Sequence, residues 1–328
     1  MGKKSFNYNE FLKQLEADTQ QLPEILPEIL STIFGKPVNN NTKKEVGKSV
    51  SDLLEMVTKI GPSFSSIKSI RGKKARNKAI LDLAESGFKP YLKDIPPGKN
   101  VIDFIIDYFG LQKTLPPGSY LLGTSYEKYV ATVVELSKDF VASVPMNKRS
   151  EFLDSVFSSG QDVLSMGQSV ITEFPKMNKD LSTKRQRFTK KQATKDIEYY
   201  DKLAGNYEKC ISTVAGVIRL INGQNVTYES MRRQQLAPNL RTVNGSKYAL
   251  LTKGFDKNIR NALAHKQFTF YTTKRKVNFY DPIARFSVDF TYKEINEKTK
   301  ELCALFISIQ GLPMQIWSDT FTKFKGSV

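Results

Sequence analysis

The feature that most limits what this chain can fold into is a long run of apolar residues at helical spacing over 194–221. Ile197, Leu203, Ile211, Val214, Val217, Ile218 and Ile221 fall on one side of an α-helix, and Asn222-Gly223 follows as a stop signal. A helix of that length with one apolar side is stable only when other elements cover it. Upstream, over 1–175, no segment shows sustained alternation of period two. The chain is therefore expected to be mainly α, built of helical bundle domains.

The rest of the chain supplies the covering elements. In the N-terminal half, helices are expected over 8–22, 48–60, 75–92, 101–109, 126–144 and 150–174, the last capped by Ser150. A tandem Pro-Glu-Ile-Leu repeat at 23–30 places each proline where a first helical turn tolerates it. Pro-Pro-Gly at 96–98 and again at 116–118 breaks the chain. Over 175–195 the composition shifts to Lys and Arg, with Asp180 the one acid. This segment reads as a basic linker or as the exposed start of the long helix, and its charge as solvated surface or as a phosphate-contacting strip. The domain division expected is 1–175, an N-terminal helical domain of sensing, regulatory or dimer-extending role, then 176–195, then 196–328. In that last domain a short helix over 228–236 carries Arg232 and Arg233, a loop covers 238–245, and Ser246 opens a helix that Gly254 divides. Residues 268–280 and 284–290 are rich in β-branched and aromatic types around Asp281-Pro282, a β-hairpin pattern. Thr291 with Glu294 three residues on is a capping box for a closing helix with Ile295, Leu302, Leu305, Phe306 and Ile309 inward.

The stretch 255–265, Phe-Asp-Lys-Asn-Ile-Arg-Asn-Ala-Leu-Ala-His, holds the only histidine of the 328 residues. On a helix, Phe255, Ile259, Ala262 and Leu263 share one arc and Arg260, Asn261, Ala264 and His265 the opposite one. Cleavage of RNA asks little more than that polar arc. The 2′-hydroxyl already lies beside its own phosphorus, so one proton must leave, another must be supplied, and negative charge must be stabilised. His265 suits the acid or base role, Arg260 the phosphate, and Asn261 the orientation of imidazole or ribose. The products would be a 2′,3′-cyclic phosphate or 3′-phosphate and a 5′-hydroxyl. The same residues have a plainer reading, in which a histidine near a helix C-terminus favours the dipole and the arginine is a surface charge.

The spacing Arg260-Asn261-three residues-His265 resembles the signature of the HEPN superfamily, helical domains that pair as dimers and many of which are metal-independent ribonucleases. The resemblance covers 196–328 and implies a HEPN-like bundle with the hairpin as an appendage after the motif helix. Many members have glycine directly after the histidine; Lys266 stands there and adds charge for phosphate contact. The resemblance implies Arg260, Asn261 and His265 as catalytic residues and a composite site across a homodimer. That agrees with the histidine count, since one chain cannot supply two imidazoles. Free-standing members are often toxins or antiviral abortive-infection effectors acting on tRNA or other RNA, with an antitoxin or regulatory protein as a further partner.

Charge and motif content narrow the alternatives. A formal net charge of +17 favours a polyanion, and Lys257, Lys266, Lys274, Arg275, Lys276, Arg232 and Arg233 are the expected RNA contacts. Neither a Gly-x-x-x-x-Gly-Lys-Ser/Thr nor a Gly-x-Gly-x-x-Gly loop is present. One histidine and two distant cysteines, Cys210 and Cys303, do not make a usual zinc set, so no metal and no cofactor are expected. The cysteines read as buried free thiols of a cytoplasmic protein. No signal peptide, membrane span or myristoylation site is expected. Endoribonuclease is the leading reading. A catalytically inactive helical module that binds nucleic acid or protein, or a regulatory dimerisation subunit, are the others.

Overall fold

In the computed structural model of the protein, residues 124–158 and 187–325 are described, except 283 and 284, together with isolated positions between 72 and 82 and between 177 and 181. Most expectations for 1–123 and 159–186 lie outside the described residues. The chain divides into two compact units, 1–114 with 317–328, and 115–316. The unit 115–316 is mostly helical with a small antiparallel sheet. In order it contains α1 (Tyr126–Ser143), α2 (Met146–Ser158), α3 (Lys190–Ile221), α4 (Tyr228–Arg232) and α5 (Leu236–Asn244). There follow a 3₁₀ turn (Ala249–Thr252), α6 (Lys257–Ala264), β1 (Phe268–Tyr271), β2 (Lys276–Asp281), β3 (Phe286–Thr291), α7 (Tyr292–Gln310) and the start of α8 (Leu312–Lys325).

Helix α3 is the spine. Thr189 and Gln192 form a capping box, the Thr189 hydroxyl accepting the Gln192 N–H and the Gln192 carbonyl accepting the Thr189 N–H. The helix thus begins at Lys190, and 190–195 of the basic segment belongs to it. Its other end closes at Asn222 with Gly223 at φ +76°, and the amides of Gly223 and Gln224 bond back to Leu220 and Arg219. That is a Schellman motif with glycine in the left-handed position it favours. Helices α3 and α7 form the main packed pair, with Leu203, Ile211, Leu302, Leu305 and Phe306 at no more than 1% exposure. Each such side chain stabilises the fold by roughly 1.5–3 kcal/mol. Buried Asp196 of α3 accepts a hydrogen bond from Asn296 (3.1 Å), and the Thr299 hydroxyl donates to its carbonyl (3.1 Å). Cys210 and Cys303 are buried free thiols, and burial pushes both up to about 12.

Helix α1 packs on both α3 and α7, which corrects the division expected at 175. The Ser125 amide donates to Glu301 of α7 (3.1 Å), the Tyr129 hydroxyl donates to the same carboxylate (2.6 Å), and Tyr248, directly before the 3₁₀ turn, donates to Asp139. These are long-range bonds within one core, so the boundary falls between 114 and 115. Helix α2 begins at Met146 rather than at a Ser150 cap. It approaches α3 where Gly216 leaves room: a Cβ there would lie 2.6 Å from the Phe152 ring. The stretch 238–245, read as loop, is helix α5. Pro238 sits in its first turn, where the missing N–H breaks no helical bond.

The expected hairpin is a three-stranded meander, ordered β1-β2-β3 with both pairs antiparallel. The extra turn falls at 272–275, with Arg275 at φ +51° and its amide bonded to the Thr272 carbonyl. No glycine, asparagine or proline marks it. One face carries Phe268, Phe270, Val277, Phe279, Val288 and Phe290; Val277 and Phe279 are fully buried, and β2 packs on α6. Thr291 and Glu294 form the expected capping box at the start of α7.

Candidate active site

The motif helix is shorter than its sequence pattern and is built from its first residue upward. Gly254 lies between the 3₁₀ turn and this helix at a close approach to α1 and α7: a Cβ there would lie 2.9 Å from the Tyr129 hydroxyl and 3.2 Å from the Glu301 carbonyl. Phe255 lies outside the helix and stacks on Tyr207 of α3 (centroids 4.7 Å, 20°). Asp256 is the N-cap: its Oδ1 accepts the amides of Asn258 (3.0 Å) and Ile259 (3.3 Å), satisfying two of the donors that every helix start leaves open. Its Oδ2 lies 3.4 Å from the Lys298 ammonium of α7. The Tyr200 hydroxyl accepts the Asp256 N–H (2.9 Å) and donates to the Asp256 carbonyl (3.4 Å). One tyrosine of α3 therefore grips the backbone at the helix entry. Ile259, Ala262 and Leu263 are buried, as the periodicity predicts.

Arg260 is three-quarters covered. Its Nε, buried and without a properly directed hydrogen bond, stands 2.8 Å from Glu208 Oε1 of α3 in an ion pair. The guanidinium is thereby fastened to the spine of the fold. His265 is not inside the helix but at its C-cap (φ −98°, ψ 6°), its amide bonded to the Asn261 carbonyl (3.1 Å). The Lys266 amide bonds to Leu263 (3.0 Å) and the Gln267 amide to Ala262 (2.7 Å), with Lys266 at φ +55°. This is a second Schellman motif, with lysine in the left-handed place that glycine holds at the end of α3. Asn261, Ala264, His265 and Lys266 are all exposed. The helix thus presents an anchored guanidinium and, about 7 Å further along its axis, an imidazole open to solvent.

No family model, curated protein or solved structure matches the chain.

The expected basic contacts divide into two groups. Lys257 opens the motif helix, Lys266 closes it, and Lys274, Arg275 and Lys276 occupy the β1–β2 turn and the strand that follows; all but half-buried Lys276 are exposed. From 253 to 285 the chain has eight Lys or Arg against two Asp, so this region attracts phosphate. Arg232 and Arg233 are exposed but lie at the end of α4, whose Met231 packs at Gly216, roughly 12 Å along α3 from Glu208. Arg233 there pairs with Glu229 (2.9 Å). Structure does not bring them to the motif helix.

Sequence reasoning missed the supports: Asp256, Tyr200 and Glu208. Asp256 carries a readable signal, an N-cap residue directly before the periodic stretch. Tyr200 and Glu208 carry none, being one tyrosine and one glutamate among many on a long helix. Among the described residues, no group of three or more His, Cys, Asp or Glu is placed to hold a metal ion, and no helix is long and apolar enough to cross a membrane.

Proposed function

We propose that the unit 115–316 is a HEPN-like, metal-independent endoribonuclease. The observation that carries this reading is the pairing of a fastened arginine with the chain's only imidazole, exposed at the C-cap of the same short helix, with Lys257 opening that helix and Lys266 directly after the imidazole. Arg260, held through Nε by Glu208, presents its terminal nitrogens to a phosphate and stabilises the charge that develops as the 2′-oxygen attacks. His265 removes the 2′-hydroxyl proton or supplies the proton that the departing 5′-oxygen needs. Asn261 orients the ribose or the imidazole. The bond formed is 2′-oxygen to phosphorus and the bond broken is phosphorus to 5′-oxygen, which leaves a 2′,3′-cyclic phosphate and a 5′-hydroxyl. With one histidine per chain, acid and base are both imidazoles only in a homodimer, and exposed Ala264 leaves space for a second motif helix. The biological setting we propose is that of a cytoplasmic toxin or antiviral abortive-infection effector acting on RNA such as tRNA, restrained by an antitoxin or regulatory protein.

The Glu208 contact also favours a second reading. An arginine neutralised within its own chain suits a catalytically silent module that binds nucleic acid or protein. The two readings separate in one experiment: incubation of wild type, Arg260→Ala and His265→Ala with labelled RNA in excess EDTA. The nuclease reading expects cleavage by wild type, cyclic-phosphate ends, and a loss of at least about 100-fold in each variant. Equal, slow degradation by all three sinks it.

A further inference from the structure

The sheet next to the motif helix has a second face that the site does not use. The registers Thr269↔Asn278, Tyr271↔Lys276, Asn278↔Asp289 and Tyr280↔Ser287 place these side chains together, opposite the phenylalanine face that packs inward. Two of them, Tyr271 (44% exposed) and Tyr280 (38%), are among the few large aromatic side chains that the described residues leave in solvent. Tyrosines that serve only packing would turn inward, as Tyr200 and Tyr207 do. The ladder fixes where they stand. The Tyr280 amide bonds to the Gln267 carbonyl (3.0 Å), so Tyr280 lies beside the chain two residues after His265. Tyr271 lies four residues along the strands, about 13 Å away, next to the turn that carries Lys274 and Arg275.

Charge on this face complements a nucleic acid. Lys266 and Arg285 lie at the His265 end and Arg275 at the other, and all three hold left-handed backbone (φ +55°, +51° and +51°). That conformation disfavours any residue with a Cβ, yet each position carries a cation where glycine or asparagine would fit more easily. The central acid, Asp289, is held by Lys276 (3.8 Å) and Asn278 (2.9 Å), so it does not face a phosphate alone. Flat rings spaced along a basic groove accept unstacked bases, which a duplex cannot offer.

We infer that the outward face of the β1-β2-β3 sheet is a single-stranded RNA platform. Tyr280 stacks the base beside the cleaved phosphate and Tyr271 a base further along, with phosphates drawn to Lys266, Arg285 and the Lys274–Lys276 turn. The inference rests on the ribonuclease reading for which phosphate is cleaved, but the platform itself needs no cleavage. It extends the site from one phosphodiester to a stretch of several nucleotides and makes the substrate class single-stranded rather than helical RNA.

The test measures binding of the full-length protein to a fluorescent 2′-O-methyl RNA 12-mer, which lacks the nucleophile and cannot be cleaved, and to the same sequence as a duplex. Wild type, Tyr271→Ala, Tyr280→Ala, the double variant and the ring-retaining double Tyr→Phe variant are compared, with circular dichroism confirming the fold. Expected are preference for the single strand, weakening of roughly tenfold for each ring removed, and near wild-type binding by the Phe variant. Three results overturn the platform: unchanged affinity in the double Ala variant, equal binding of duplex and single strand, or no binding of RNA by wild type. Ring-dependent binding without cleavage of ordinary RNA keeps the platform and removes the nuclease reading. Cleavage with ring-independent binding does the reverse.

Discussion

Asp256 caps the start of the motif helix and ties it to α7 through Lys298, so its removal is the sharpest probe of how the site is held. Asp256→Ala deletes the acceptor of the Asn258 and Ile259 amides, and loss of an N-cap costs about 1 kcal/mol. It also deletes the Lys298 pair, whose side chains are 35% and 29% exposed at 3.4 Å; solvent screening limits that contribution to about 0.5 kcal/mol. The total is about 1.5 kcal/mol, or a fall in Tm of roughly 3–6 °C for a unit of this size. Asp256→Asn keeps an oxygen acceptor of equal capping quality and loses only the ion pair, so its Tm falls by about 2 °C or less. Calorimetry of wild type and the two variants reads the difference directly. RNA cleavage follows the same order under the proposed function, because a frayed first turn releases Arg260 from its place opposite Glu208. Equal destabilisation by Ala and Asn, or none by Ala, would refute the claim that capping holds this helix.

Two further outcomes follow from the geometry. Lys266→Gly relieves a left-handed backbone that costs a residue with a Cβ about 1 kcal/mol or more, partly offset by the greater freedom of glycine in the unfolded chain. It should therefore be more stable than Lys266→Ala in denaturant titration, while both lose about one unit of slope in the salt dependence of RNA binding; a less stable Gly variant contradicts the Schellman assignment. Lys247 and Tyr248 beside Asp139 hold its carboxyl below the usual carboxylate range. A lowered folded-state pKa contributes stability that is present above the unfolded-state value, near 4, and is lost as pH falls through the folded value. Asp139→Asn should accordingly melt below wild type at pH 7, with the gap closing as acid protonates Asp139 in the folded protein; a gap that persists in acid assigns the effect to packing instead.

Much of the local architecture was legible in the residues. The stop at Asn222-Gly223, the capping box of Thr291 with Glu294, and the inward face of Ile259, Ala262 and Leu263 all appear where spacing placed them. Each depends on residues within four positions of one another, and backbone geometry converts that spacing into contact without help from the rest of the chain. Turns without punctuation were illegible: the 272–275 turn has no glycine, asparagine or proline, and α5 hides behind Pro238. The domain boundary was misplaced because charge composition marks solvent exposure, whereas the packing of α1 against α3 and α7 decides which residues share a core.

The same divide runs through the site. Sequence alone determined that a guanidinium, an amide and the single imidazole lie on the polar side of one short amphipathic segment. Only the tertiary structure decided that Glu208, 52 residues before Arg260, fastens that guanidinium, that Tyr200 grips Asp256 across 56 residues, and that Tyr271 and Tyr280 face outward from the sheet. No local period encodes such pairs; they exist because α3 packs beside α6 and because a three-stranded register settles which side chains turn to the core.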